Sequence, residues 1–458
     1  MAPAPRAEAH FDAKARPMTA SSSDPALQRV IEKFDFGERL DAADGLTLFE
    51  TPDIVALGGL ANAAKERRTG PYVAFVLNRQ VNPTNVCVLA CRFCDFAAKV
   101  GDDHSYEMSL DAIREKVDAP IREVHVVGGM HPDWPFERYV EILRVIRETN
   151  PTAQIKAYTA VEIDFFAAIE KCSVEEVFDR LQEAGLQAMP GGGAEVFSER
   201  IRQELYREKM SHERWFEIHE IAHSRGIRSN ATLLYGHIET HEERVSHMLQ
   251  LRDLQDRTGG FYSFIPLAFQ PGYTNIVARQ ASAIEDVRTI AAARLLLDNF
   301  PHIKAYWVML GEETASMALN FGADDIDGTI GEELIAHAAL ASSPVGLTTQ
   351  KLVKLIREAG RIPIQRDALY KVVAVYPAPG HTTHWSQRLG FADGDPVALR
   401  GEVCEPVAFD VEPHGVRTWE LLEDAAAPVR QLAATALDDL DPLPGARDDI
   451  GSAAPRQG

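Results

Sequence analysis

Between Tyr72 and Val375, short β-branched or apolar runs alternate with longer stretches whose apolar residues recur every three or four positions. Eight runs predict strands: "YVAFVLNR" from Tyr72, "EVHVVGG" (Glu123 to Gly129), "IKAYTA" (Ile155 to Ala160), "GLQAMPG" (Gly185 to Gly191), "IRSNATLLYG" (Ile227 to Gly236), "FYSFIPLAF" (Phe261 to Phe269), "IKAYWVML" (Ile303 to Leu310) and "ADDIDG" (Ala323 to Gly328). Between nearly every pair lies an amphipathic stretch such as "FERYVEILRVIRETN", "VEEVFDRLQEAG" or "HEERVSHMLQLRDLQDRTG", several of them stopped by Gly or by Asn-Pro. Repeated β/α units of this number predict an α/β fold, a (β/α)8 TIM-type barrel over 72–376 rather than an open sheet. In such a barrel the chemistry belongs at the C-terminal ends of the strands and in the loops after them.

The flanks read differently. Residues 1–23, "MAPAPRAEAHFDAKARPMTASSS", are rich in Ala, Pro and Ser without an apolar period, which predicts a disordered leader. Asp24-Pro25 is an N-cap followed by Pro at the first helical position, and Leu27, Val30, Ile31 and Phe34 continue one helical face, so 24–71 is read as an N-terminal helical lead-in. Beyond Tyr376 there is no Lys, Pro recurs, and acidic, Ala-rich pieces predict an acidic C-terminal appendage over 377–458, partly disordered.

With 45% hydrophobic and 25% charged residues among 458, the chain can bury a substantial core. No run approaches the roughly twenty apolar residues of a membrane span, and no apolar block of a secretory signal opens the chain, so a cytoplasmic protein without a membrane partner is expected. The formal net charge of -21 argues against nucleic acid as a partner and leaves small molecules.

Three of the five cysteines, Cys87, Cys91 and Cys94, lie within "TNVCVLACRFCDF"; Cys172 and Cys404 stand alone. A redox pair needs two thiols and a closed zinc site four ligands. Three thiolates satisfy three irons of a cubane and leave the fourth iron open to a ligand. A zinc knuckle would want a fourth Cys or His at short spacing, and none follows. A rival metal motif is "HEIAH" at 219–223, literally H-E-x-x-H, with His219 and His223 on one helical face and Glu239 or Glu242 downstream. This helix precedes a strand, which places it on the outer wall of a barrel, away from the mouth.

Other strand ends carry candidates. Gly128 and Gly129 in "VVGGMHPD" allow backbone to approach a ligand closely, or simply form a turn; His131 and Asp133 follow and are candidates to face a substrate. Thr159 and Glu162 in "YTAVEI" suit a ribose hydroxyl or an ammonium group, and equally a helix capping box. "MPGGGAE" predicts a backbone nest for an anion before a helix. Arg228, Asn230 and Thr232 alternate along one strand and so share one side; Arg228 is matched either to a substrate carboxylate or to an internal acid.

The spacing C-x3-C-x2-C directly after the first strand, with Phe93 and Phe96 around the last Cys, resembles the cluster loop of the radical S-adenosylmethionine (SAM) enzymes. The resemblance implies a [4Fe-4S] cluster on Cys87, Cys91 and Cys94, with SAM as the ligand of the open iron. It also implies a low-potential electron donor such as flavodoxin or ferredoxin, contacts from Gly128 and Gly129 to the SAM amino group, and adenine contacts around Tyr235 to Glu239. Met130 stands where that superfamily has Glu. "NPTNVCVLACRFCDF", "GGMHPD", "KAYTAVEI", "MPGGGAE", "RSNATLLYGHIETHEERV", "FIPLAFQP", "LDNFPHIKAYWVMLG" and "FGADDIDGT" resemble, in order, the aminofutalosine synthase family of the futalosine route to menaquinone. That resemblance implies addition of the 5′-deoxyadenosyl radical to 3-[(1-carboxyvinyl)oxy]benzoate, with rearrangement and loss of bicarbonate; Arg228, Asn230 and the 190–193 nest are then candidates to meet the two carboxylates, and His131 to face the substrate. The cyclic dehypoxanthinyl futalosine synthases, which abstract hydrogen, share the cysteine loop but match less well at "KAYTAVEI", "YGHIET" and "GADDIDGT".

Overall fold

The computed structural model of the protein describes residues 19–376 and 397–398. The expected leader, apart from 19–23, and the expected tail, apart from 397–398, lie outside the described residues. The lead-in forms three helices, Pro25–Phe36, Ala42–Glu50 and Ile54–Thr69. Asp24 caps the first by accepting a hydrogen bond from the Ala26 N–H, and Leu27, Val30 and Ile31 are its buried face. The other two pack on the outer helices His241–Thr258 and Ala283–Leu296 and extend the helical layer.

The strands are β1 (Tyr72–Val76), β2 (Asn78–Val81), β3 (Glu123–Val126), β4 (Gln154–Ala157), β5 (Leu186–Met189), β6 (Arg228–Tyr235), β7 (Phe261–Ala268), β8 (His302–Ile303), β9 (Asp325–Gly328), β10 (Ile362–Arg366), β11 (Val372–Val375) and β12 (Val397–Ala398). Strands β2 to β8 form a seven-stranded parallel sheet in chain order. β9 meets both of its edges. It pairs in parallel with β1, which runs on into β2 through Leu77, and a parallel bridge from Lys304 to Asp325 joins it to the end of β8. Counting β1 and β2 as one bent strand, eight parallel strands therefore ring a common lumen.

Two features depart from the expected strand pattern. The run "IKAYWVML" leaves the sheet early: β8 is short, and Trp307–Leu310 turns into a helix whose Trp307 Nε1–H donates to the Gly328 carbonyl. An apolar run buried on every side has no period to tell strand from helix. The hairpin β10–β11 lies outside the eight expected strands; β10 pairs in parallel along the whole of β1, and the hairpin carries Arg366 and Tyr370 under the barrel.

Alternation along the strands sends Val124 and Val126 to the helix layer and Glu123 and His125 to the lumen. The lower lumen is ionic. Lys156 lies 2.6 Å from Glu123, Lys304 lies 3.0 Å from Asp327, and Arg366 lies 2.6 Å from Asp325, all buried. The three aspartates expected at the last strand, Asp324, Asp325 and Asp327, are thus spent on internal partners, Asp324 on Arg294 and His302. Burial opposes the charge on Glu123, but Lys156 and Arg366 outweigh it and hold the carboxyl down near 2. Breaking such a pair is costly because it strands a charge. Lys156→Met is expected to destabilise the fold by about 3–5 kcal/mol, measured by urea unfolding.

Candidate active site

The cysteine loop leaves the C-terminal end of β2, where the lumen opens. Its backbone is fixed before its thiols are considered. Cys87 N–H donates to the Ala98 carbonyl, Val88 N–H to Met130, and Arg92 N–H to Leu205, at 2.8–2.9 Å. Lys99 Nζ gathers the carbonyls of Cys87, Val88 and Leu89 at 2.8, 3.2 and 2.8 Å. Asp95 accepts the Tyr273 N–H at 2.8 Å, tying the loop to the "FQPG" turn after β7. Cys87, Cys91 and Cys94 are all free thiols and half-buried. Burial pushes the Cys91 thiol up to about 11, and Cys94 up as well, with the Lys209 ammonium pulling the other way on both. A thiol of this kind keeps its proton in water at neutral pH and loses it when a metal takes the sulfur as thiolate.

Gly128 and Gly129 lie against this loop, and their lack of side chains is a steric necessity. A Cβ on Gly129 would stand 2.2 Å from the Val86 carbonyl oxygen, and one on Gly128 2.8 Å from that of Thr84. Gly129 N–H donates to Thr84 at 2.7 Å, while Gly128 N–H reaches the Glu162 carboxylate at 3.3 Å. Glu162 and Thr159 form a capping box at the start of helix Ala160–Glu170, with Thr159 N–H and Oγ1 donating to Glu162 at 2.7 and 2.9 Å. The structure thus brings Gly128, Thr159 and Glu162 together at one point of the rim. Burial drives the Glu162 carboxyl up to about 7, against the N–H and O–H groups that favour its charge.

The remaining expected residues are dispersed. His131 is buried, stacked on Trp134 at 5.1 Å, with its Nδ1 accepting the Asp133 N–H and its Nε2 3.2 Å from Glu107. Asn230 faces the lumen and accepts from Ser263 at 2.6 Å, and Thr232 bonds the Gly191 carbonyl. Arg228 shares their side but opens β6, seven residues or about 23 Å from its rim end, so it lies at the bottom mouth beside Tyr262. Tyr235 points outward, and its hydroxyl donates to Asp286 in the wall at 2.7 Å. Glu239 is fully enclosed, clamping its own turn through the Gly236 and His237 N–H groups and Arg244. The "MPGGGAE" run does not open a helix; the next helix begins at Glu199.

The H-E-x-x-H helix lies on the outer wall. His219 and His223 both hydrogen-bond the Ser229 hydroxyl, at 2.9 and 2.8 Å, and Glu220 turns away to pair with Arg257. Among the described residues no three His, Cys, Asp or Glu side chains close on a single metal-sized point. Sequence spacing alone did not reveal Lys209, which sits over the Phe93 ring at 5.1 Å and pairs with Glu195 beside the cysteine loop. Burial works against its charge, but Glu195 prevails and keeps it protonated.

A parallel β/α barrel with three thiols in the loop after its first strand defines a class. The Radical SAM superfamily model matches residues 81–251 and the CofH/MqnC C-terminal region model residues 258–378, and the chain belongs to the radical SAM superfamily. More particularly, it is 47% identical over 363 residues to the aminodeoxyfutalosine synthase of Thermus thermophilus, covering 77% of this chain and 97% of that one. It is 39% identical to the aminodeoxyfutalosine synthase of Streptomyces coelicolor over 78% and 96% of the two chains. The crystal structure of methylornithine synthase superposes with a TM-score of 0.60 at 17% identity, over 72% of this chain and 96% of that one, and shares the fold. Members of the superfamily bind a [4Fe-4S] cluster and SAM, and Cys87, Cys91 and Cys94 lie in the matched region. The donor set fits: three half-buried thiols on one pinned loop, a cation beside them, and a glycine pair that lets backbone pass behind. Among the described residues no helix is long and apolar enough to cross a membrane.

Proposed function

We propose that this chain is an aminodeoxyfutalosine synthase. SAM, 3-[(1-carboxyvinyl)oxy]benzoate and water give 6-amino-6-deoxyfutalosine, bicarbonate and methionine, the adenosyl C5′ becoming bonded to the former vinyl carbon. The observation that carries this reading is the similarity to the Thermus thermophilus enzyme, 47% identity over 77% of this chain and 97% of that one. The cluster, held by Cys87, Cys91 and Cys94, supplies the single electron that splits SAM. The reductant we expect is a low-potential carrier of the flavodoxin or ferredoxin kind in the cytoplasm. The protein's own part is placement: Lys99 and Met130 hold the loop, Glu162, steadied by the Gly128 N–H, presents a carboxylate to the SAM amino end, and the lumen below excludes water from the radical.

Incubating reconstituted protein with reductant, SAM and the carboxyvinyloxybenzoate is expected to yield an adenosyl-benzoate product by mass spectrometry. 5′-Deoxyadenosine as the sole nucleoside would refute the reading.

A pH dependence follows from Glu162. Its carboxylate form is the one that holds an ammonium group, and with its pKa raised to about 7 that form is scarce in acid. SAM affinity of the cluster-loaded protein should therefore rise with pH and level off above 7, being about tenfold weaker at pH 6 than on the plateau. Glu162→Gln should weaken binding and flatten the profile, as read by calorimetry.

A further inference from the structure

Beside the ionic groups the lumen carries neutral hydrogen-bonding groups that the cysteine site does not use, beginning with Asn78, which donates to Asp327. Asn78, Gln80 and Asn82 follow one another at two-residue spacing and face inward, while Val81 between them is packed in the core. Gln80 is 5% exposed; its Nε2 donates to the Tyr306 hydroxyl at 3.0 Å and its Oε1 is buried without a partner. Turning the amide over only converts the spare group from acceptor to donor. His125 stands opposite Gln80 in the β2–β3 register, and its Nε2 is also buried and unpartnered. Burial and then Lys156 bring the imidazole down to about 3, so it is neutral, and the strongest charge acting on it is the Lys156 ammonium, opposite it in the β3–β4 register and turned to Glu123. Unsatisfied buried polar groups are rare, and two side by side at one height of a lumen mark a ligand contact.

Their height identifies which part of a ligand. His125 precedes Gly128 by three residues, about 10 Å along the strand. A carboxyvinyloxybenzoate must turn its vinyl carbon to the rim, where the adenosyl group is held, so its ring carboxylate points down the lumen. We propose that His125, with Gln80 beside it, binds the ring carboxylate of the substrate and so fixes the aryl ring beneath the SAM site. The inference rests on the synthase reading and adds to it the residues that select an aryl acid.

The test is a cycle between side chain and substrate group. Wild type, His125→Ala and His125→Gln are assayed with the natural substrate and with the analogue lacking the ring carboxylate, (1-carboxyvinyl)oxybenzene, after equal cluster absorption and SAM binding are verified. Removing the ring carboxylate should cost the wild type about 10- to 100-fold in kcat/KM, mostly in KM. His125→Ala should cost the natural substrate a similar factor and the analogue almost nothing, with His125→Gln intermediate. Equal losses on both substrates would overturn the assignment and leave His125 a packing residue. If His125→Ala fails to fold, Gln80→Met allows the same comparison, with the same two outcomes. Absence of any adenosyl adduct from wild type and natural substrate would instead sink the synthase reading itself.

Discussion

Replacing any one of Cys87, Cys91 and Cys94 by Ala is expected to remove the visible cluster absorption of anaerobically reconstituted protein and to reduce SAM cleavage to the level without enzyme. The set is minimal. Each thiol serves one iron, and Cys172, the other described thiol, lies between helices Ala160–Glu170 and Val174–Glu183, away from the loop. The thiols owe their place to backbone contacts made by other residues, so each single variant should fold as the parent does. Iron and sulfide analysis with far-ultraviolet dichroism checks both halves of this expectation. A variant that keeps its cluster would show that the cysteine is not a ligand.

Gly129→Ala should be nearly as damaging without touching a ligand. Its new methyl would fall 2.2 Å from the Val86 carbonyl oxygen and 2.9 Å from the Asn85 carbonyl carbon, and both are backbone, which cannot rotate away. Either β3 or the cysteine loop must shift. The loop, held by a handful of hydrogen bonds, is the softer of the two, so most bound iron should be lost along with about 1–3 kcal/mol of stability. Gly59→Ala is the control: a Cβ there meets nothing within 4 Å on an outer helix, and the variant should match or slightly exceed the parent in thermal unfolding. Loss of iron in both variants would remove the steric explanation.

What could be read from the sequence was local. The capping box of Thr159 and Glu162 needs only a three-residue spacing, and the cysteine loop only eight positions. Alternation told which side of β6 Arg228 takes, but not how far along the lumen it stands; side is a matter of parity, height of register. The same parity, carried five residues from Asn230, puts Tyr235 on the opposite side, which is where its bond to Asp286 lies. The Lys209–Glu195 pair bridges fourteen residues with no period to announce it, and Gln80 and His125 come together only because β2 and β3 pair in parallel. The ionic layer was hidden for a like reason. Glu123, Lys156 and Asp327 come from three strands and Lys304 from the bridge just past β8, and each alone reads as a charge misplaced in an apolar run.

The most direct measurement of the central claim follows the C5′ carbon of SAM. With SAM carrying two deuteriums at C5′, the synthase reading predicts an adenosyl-benzoate product that retains both on C5′, that carbon now bonded to a substrate-derived carbon, with methionine formed in equal amount. Recovery of the label only in 5′-deoxyadenosine that has gained one hydrogen from substrate would contradict it.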